Sequence, residues 1–255
     1  MPGAYGGSWR PLPVDFSATA DCLLVIRTVG TAAGLYHRRH DPRGSEGRGS
    51  QGSGRRGYDI ISYAYRGDNA ADGDYRRWIT RFQRYLTRSG TVLDLGSGCG
   101  IPVCRILDEA GHSVTGVDIS DVQIERARQL VPRATFIRAD ATQLTFPAAS
   151  FDGVVCLYAL IHIPLSEQLP LLKRIAGWLR PGGALLITTG YTSWTGMEAD
   201  WHGAPMWWSH ADVATYRSWL REARLQITGE DFVSDGDGGH ALFYATRDEP
   251  MTGVV

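Results

Sequence analysis

The alternation of apolar and polar positions becomes regular only after Tyr58. Trp78, Ile79, Phe82, Tyr85 and Leu86 recur at helical spacing and predict an amphipathic helix. A short apolar run over 92–95 predicts the first strand. A helix follows from about Ile101 to Ala110, with Pro102 tolerated in its first turn. Val114 to Asp118 reads as the second strand. Ser120 and Gln123 then have capping-box spacing and open a helix. Ala134 to Ile137 and Gly153 to Leu157 read as strands three and four. A helix from about Glu167 runs to Leu179-Arg180-Pro181-Gly182-Gly183, a Pro/Gly stop, before strand five at Ala184 to Thr188. Ser209 and Asp212 are expected to open a helix over Ala211 to Ala223. Gln226 to Val233 and Ala241 to Thr246 read as closing strands around the turn 234–239. Strands alternating with helices imply an open, mostly parallel α/β sheet.

Residues 1–57 show no sustained period. Cys22 to Ile26 has the make-up of a short strand. Residues 41–57 read as a Gly/Ser/Arg linker with too little apolar surface to order itself. The expected division is therefore a leader and linker over 1–57, disordered in part, and a domain over 58–250. The linker arginines admit a nucleic-acid-binding arm, but a solvated linker is the simpler reading. A natural start near Arg56 is a third.

Charge and cysteine usage narrow the picture. The net charge of −1 leaves no electrostatic footprint for nucleic acid. Cys22, Cys99, Cys104 and Cys156 lack the paired spacing of zinc or iron–sulfur ligands, so no metal is expected. Buried thiols imply a reducing, cytoplasmic compartment. No apolar run is long enough for a membrane span. Ala18 to Leu35 is interrupted by Asp21 and Arg27 and makes a poor signal peptide. Oligomeric state is not readable from the chain.

The candidate chemistry starts where strand one ends. Asp94 is followed by Gly96, Gly98 and Gly100 in a Gly-x-Gly-x-Gly turn leading into a helix. Such a turn lets backbone N–H groups approach a ligand closely, and the helix N-terminus favours negative charge. Further along come Val117-Asp118, Arg138-Ala139-Asp140-Ala141, Phe151-Asp152-Gly153-Val154-Val155 and Leu179-Arg180-Pro181-Gly182-Gly183. In this order and spacing the five segments resemble the motifs of class I S-adenosylmethionine-dependent methyltransferases over about residues 58–247. Tyr58-Asp59 and Tyr65 resemble the helix that often precedes that family's first strand.

The resemblance implies a Rossmann-like fold: a mostly parallel seven-stranded sheet, helices on both faces and an antiparallel last strand. It implies S-adenosyl-L-methionine as cofactor. Asp94 would orient the cofactor's ammonium, or else cap the turn. Gly96, Ser97 and Gly98 would admit its methionyl part. Asp118, with Ile119 beside it, would accept the ribose hydroxyls, or serve as a cap before Ser120. Asp140 and the Ala141 N–H would meet the adenine, unless Asp140 is a solvated loop acid. Leu157 and Tyr158 would wall the cofactor, with Tyr158 also facing the acceptor. Tyr65 either bonds the cofactor carboxylate or packs the first helix.

The implied activity is methyl transfer to a small organic acceptor at O or N. His162 follows strand four, where a base would stand, although a packing histidine fits equally; His202 and His210 are weaker candidates. Residues 190–209 are expected to form a long aromatic lid over the acceptor pocket. Trp194, Trp201 and His202 are read as acceptor contacts, and Trp207 and Trp208 as core. One alternative is a methyltransferase-fold cyclase or cofactor-binding protein that transfers no methyl group. The other is a nicotinamide-dependent oxidoreductase, disfavoured by Ile101 where its fingerprint wants a glycine.

Overall fold

The structure, a computed structural model, describes residues 49–236 and 238–248. Cys22, the strand read over 22–26 and most of the leader lie outside them. The described residues fall within one compact unit, 45–255. In chain order its elements are α1 (Gly49–Tyr65), α2 (Asp74–Phe82), β1 (Thr91–Leu95), α3 (Val103–Glu109), β2 (Ser113–Asp118), α4 (Asp121–Leu130) and β3 (Thr135–Arg138). There follow β4 (Phe151–Cys156), α5 (Leu165–Trp178), β5 (Leu179–Gly190), β6 (Trp194–Trp201), β7 (Ala204–His210), α6 (Val213–Glu222), β8 (Leu225–Asp235) and β9 (Gly238–Arg247).

Seven strands make one sheet in the order β3-β2-β1-β4-β5-β9-β8, and only β9 runs against the rest. The expected Rossmann-like sheet is what forms. Central strands are buried on both faces, so β1 and β4 are buried along nearly their whole length and are mostly apolar, with Asp94 and Asp152 as buried acids within them. The period of two still sorts their side chains. Leu93, Leu95, Val154 and Cys156 point to the face covered by α5 and α6, where Leu172, Ile175, Tyr216 and Leu220 meet them. Val92 and Val155 point to the opposite face, against Trp78, Ile79 and Phe82 of α2, Leu107 of α3 and Ile124 of α4. The chain moves outward from β1 to β2 and β3, then returns to β4 on the other side of β1. That reversal opens a crevice at the C-terminal ends of β1 and β4, the usual ligand position in open α/β sheets.

Three expectations change. The linker reading of 41–57 fails over its last residues, because α1 begins at Gly49. No apolar period announces this helix; tertiary packing holds it. Gly57 is buried against β7, where a Cβ would come within 2.8 Å of Met206 Cε. Ile61 joins Met206 and Ala204 in a small separate core. Residues 190–209 are not an irregular lid but a β6–β7 hairpin, a second, two-stranded sheet turning at His202 and Gly203, both at positive φ. Ser209 lies inside β7. Asp212 alone caps α6, accepting from the Thr215 N–H at 2.8 Å.

Candidate active site

The turn after β1 is built first. The Gly96 and Ser97 N–H groups both donate to the Val117 carbonyl, at 2.7 and 2.9 Å, tying the turn to β2. Gly96 has φ +75°, and a Cβ there would lie 2.2 Å from that of Ala159. Only glycine fits. Gly98 also has positive φ, but a Cβ on it would meet nothing within 4 Å, so this side of the turn is open. Its N–H donates to Asp118 Oδ2 at 2.9 Å, while Asp118 Oδ1 accepts from the Ser120 N–H at 2.9 Å. Ser120 caps α4 through Gln123, and its hydroxyl donates to Asp59 of α1.

One cavity opens over this turn. Gly96, Asp118, Ile119, Asp140 and Ala141 line it, with Tyr58, Tyr158, Ala159 and His162 closing the far side. Asp140 Oδ1 accepts from both the Thr142 N–H and hydroxyl at 2.8 Å, which fixes its carboxylate at the rim. Burial raises the Asp118 carboxyl above its ordinary range, against its bonds from backbone N–H groups. Two acids, Asp118 and the half-buried Asp140, beside the glycine turn suit a ligand edge rich in hydroxyl or amine donors. That donor set and the open face of Gly98 fit a nucleoside-type cofactor bearing a methionyl tail.

Asp94, Ser97, Gly98 and Leu157 are not among the residues lining this cavity. Asp94 lies beneath the turn, accepting from the Cys104 Sγ–H at 3.2 Å. Burial pushes its carboxyl up to about 7; the thiol bond opposes this and the Asp118 charge adds to it. Ser97 Oγ lies against Gly116 of β2, where a Cβ would approach it to 2.9 Å, so its hydroxyl faces the sheet. Leu157 is buried in the α2–α4 core.

A second cavity adjoins the first and shares Tyr58, Tyr158 and His162 with it. Tyr65, Tyr75, Trp201, His202, Trp208, Ser234, Asp235 and His240 complete its wall. Tyr65 thus lines the second cavity rather than the first. Trp201 and His202 are placed here as expected. Trp194 is not: it is 45% exposed on β6, near Trp208 and His210 and away from both cavities. The alternation of β6 turns it outward. Trp208, read as core, lines the cavity. Pattern missed Tyr58, Tyr75, Trp208, Asp235 and His240 as site residues; the helix leading into β1, the hairpin and the β8–β9 end bring them in. Only Tyr58 carried a signal, as part of the motif preceding strand one.

His162 ends the 3-10 turn after β4. Its Nδ1 is 2.8 Å from the Trp207 carbonyl, and its Nε2 is 2.9 Å from Tyr58 Oη. A carbonyl only accepts, so Nδ1 carries the proton, Nε2 presents a lone pair, and the tyrosine donates. Burial drives the imidazole down to about 4, against the raising effect of the Trp207 carbonyl, so the ring is neutral near pH 7. Burial likewise raises the Tyr58 and Tyr158 hydroxyls well above the usual range.

Comparison with known proteins decides what this crevice belongs to. Residues 92–183, from β1 through the start of β5, match the family model described as a methyltransferase domain. Residues 92–183 are a methyltransferase domain of the S-adenosylmethionine-dependent class I type. The methyltransferase domain is 38% identical over 123 residues to 27-O-demethylrifamycin SV methyltransferase of Amycolatopsis mediterranei, covering 45% of this chain and 44% of that protein. It is 35% identical over 126 residues to sterol 24-C-methyltransferase of Pneumocystis carinii, covering 45% and 33%. The chain thus spans less than half the length of these two relatives. Among solved structures, magnesium protoporphyrin IX methyltransferase of Synechocystis PCC 6803 superposes with a TM-score of 0.61 at 18% identity, over 80% of this chain and all of that one; this likeness speaks to the fold alone. Among the described residues no helix is long and apolar enough to cross a membrane, and no cluster of three or more metal-ligating side chains occurs.

Proposed function

We propose that this protein transfers a methyl group from S-adenosylmethionine to a small organic acceptor, with the acceptor held in the aromatic cavity. The observation that carries the reading is the pair of adjoining cavities with a common wall of Tyr58, Tyr158 and His162. One has the acids and glycine turn suited to the cofactor. The other offers flat apolar faces suited to an acceptor.

In this reading Asp118 accepts the ribose hydroxyls, and Asp140 with the Ala141 N–H meets the adenine. Asp94 does not reach the cavity and acts on the methionyl ammonium through its field, from beneath the turn. When bound, the sulfonium supplies an electrophilic methyl group, so the protein's share of the work is positioning, water exclusion and proton removal. Tyr65, Trp201 and Trp208 close the acceptor cavity to water. His162, neutral and with its Nε2 lone pair accepting the Tyr58 hydroxyl, is the base of the shared wall. The partner is a small molecule, and the composition gives no footprint for nucleic acid.

Isothermal calorimetry tests the cofactor half. Asp118→Ala should weaken S-adenosylmethionine binding by about 1–3 kcal/mol, the scale of a lost charge-assisted contact. Gly98→Val should weaken binding by crowding the open side of the turn while cooperative unfolding persists at a lower midpoint, because its Cβ would meet no protein atom within 4 Å but its φ is positive. Unchanged affinity in both variants would refute the assignment. Product mass tests the transfer itself: one added methyl on the acceptor supports it, and an isomerised acceptor without added mass supports a cyclase.

A further inference from the structure

We infer that the acceptor is an aryl alcohol, and that Tyr58 is the catalytic residue that receives its proton and relays it to His162. This rests on the methyl-transfer reading above. Tyr58 belongs to the wall common to both cavities, and its Oη is bonded to His162 of the same wall, so the pair stands where an acceptor oxygen would meet the methyl donor. Its hydrogen bond to His162 Nε2 has a fixed sense, because the Trp207 carbonyl holds the other imidazole nitrogen as the N–H. A chain of donors therefore runs in one direction: acceptor hydroxyl, Tyr58 hydroxyl, His162 lone pair. The chain begins at a group that takes a proton from a hydroxyl and ends at a neutral imidazole.

The cavity's other features select the class. Tyr65, Tyr75, Trp201 and Trp208 give broad flat faces, and no lysine or arginine lines it. A carboxylate or phosphate acceptor would find no cationic side chain in the wall itself; the Arg66 guanidinium stands against the Tyr75 and Tyr65 rings, 4.9 and 5.9 Å from their centroids. The Trp208 Nε1 and His240 Nδ1 atoms are buried and lack a hydrogen-bond partner among the described residues. Both belong to cavity-lining residues, which suits a ring carrying a further polar substituent. Asp235, the one acid of the wall, faces His240 at 3.6 Å.

The proton balance closes. The acceptor oxygen gains a methyl group and its O–H bond breaks. That proton goes to Tyr58 Oη as the Tyr58 proton goes to His162 Nε2. The positive charge lost at the sulfonium reappears on the imidazolium, so the net charge inside the buried site is unchanged during the step. That conservation offsets the weak basicity that burial imposes on His162. The imidazolium proton then leaves to water.

Naphthol is the probe, used with the full chain. Its binding is read by quenching of tryptophan fluorescence with S-adenosylhomocysteine present, and its methyl ether by mass spectrometry with S-adenosylmethionine. Wild type should bind naphthol and form the ether. Tyr58→Phe should weaken naphthol binding by up to about tenfold, one neutral hydrogen bond. It should lower kcat by about a hundredfold, the lower range for a lost acid–base group. His162→Gln should lower kcat similarly while leaving naphthol binding nearly unchanged. Tyr63→Phe, on the exposed side of the same helix, should match wild type in all three readouts. S-adenosylmethionine affinity should be the same in Tyr63→Phe as in wild type, and kcat of the other two variants is read at saturating cofactor. The inference is overturned if wild type binds the cofactor but not naphthol, or if Tyr58→Phe retains wild-type naphthol affinity and kcat. Failure of wild type to bind S-adenosylmethionine would instead refute the parent reading.

Discussion

Replacing Asp94 by asparagine should make the ligand-free protein more stable and a poorer binder of S-adenosylmethionine. The Asp94 carboxyl is 2% exposed, and burial pushes its pKa from 3.8 up to about 7. Because the folded value is raised, the stability this group contributes is complete below about pH 4 and is lost as pH rises through about 7. Near pH 8 the accumulated loss is about 4 kcal/mol, from roughly three pKa units at about 1.4 kcal/mol each. Asparagine keeps the shape and removes the charge. Its amide N–H groups find only Cys104 nearby, and leaving them short of partners costs about 1–3 kcal/mol. The net expectation is a gain of about 1–3 kcal/mol near pH 8, or several degrees in Tm for a domain of this size. Near pH 5 the native carboxyl is already protonated, so the gain should vanish or reverse. Urea unfolding at the two pH values reads this directly.

Cofactor binding supplies the second half of the test. A carboxylate that acts on an ammonium must be ionised in the complex, so binding near pH 6 should release a proton from the wild type. Calorimetric heats measured in buffers of different ionisation enthalpy count that proton, and Asp94→Asn should not show it. Affinity should fall in the same variant. An asparagine variant less stable than wild type by equal amounts at both pH values, with buffer-independent heats for the wild type, would refute the reasoning.

Gly96→Ala should prevent stable folding or cost several kcal/mol, because positive φ adds about 1–2 kcal/mol to the clash with Ala159; Gly98→Ala should fold with only the φ cost, as thermal melts will show. Arg126, buried on α4, donates to the Ser62 and Arg66 carbonyls at the end of α1 and to Asp68. Arg126→Met should therefore destabilise by about 3 kcal/mol in urea, with no rescue by lysine, which lacks the guanidinium fork. Deleting residues 1–48 should spare cooperative unfolding and cofactor affinity, whereas deletion through Tyr65 uncovers Met206 and removes Tyr58; equal behaviour of the two truncations in calorimetry and melts would contradict the role given to α1.

Local rules carried the sheet. Strands buried on both faces must be apolar runs, helices between them must show a 3.6-residue stripe, and a strand entering a ligand turn needs glycines. Those constraints act within a few residues, so β1, the Gly96–Gly98 turn, Asp118, Asp140 and the order of the seven sheet strands could be read along the chain. The acceptor side could not. Tyr58, Tyr75, Trp208, Asp235 and His240 come from α1, α2, β7 and the β8–β9 end, and nothing in their spacing relates them. Residues 49–56 have no apolar stripe, yet they are helical because the helix continues onto the face of Met206 and Ala204. The aromatic run at 194–208 permits either a lid or a hairpin. The pairing of β6 with β7 turned Trp194 out and Trp201 and Trp208 in. Even the state of His162 was decided at a distance, by a carbonyl 45 residues away that fixes its tautomer and by burial that keeps it neutral. Sequence determines what each segment can become; only packing between segments remote in the chain decides which side chains share a cavity and which protons they hold.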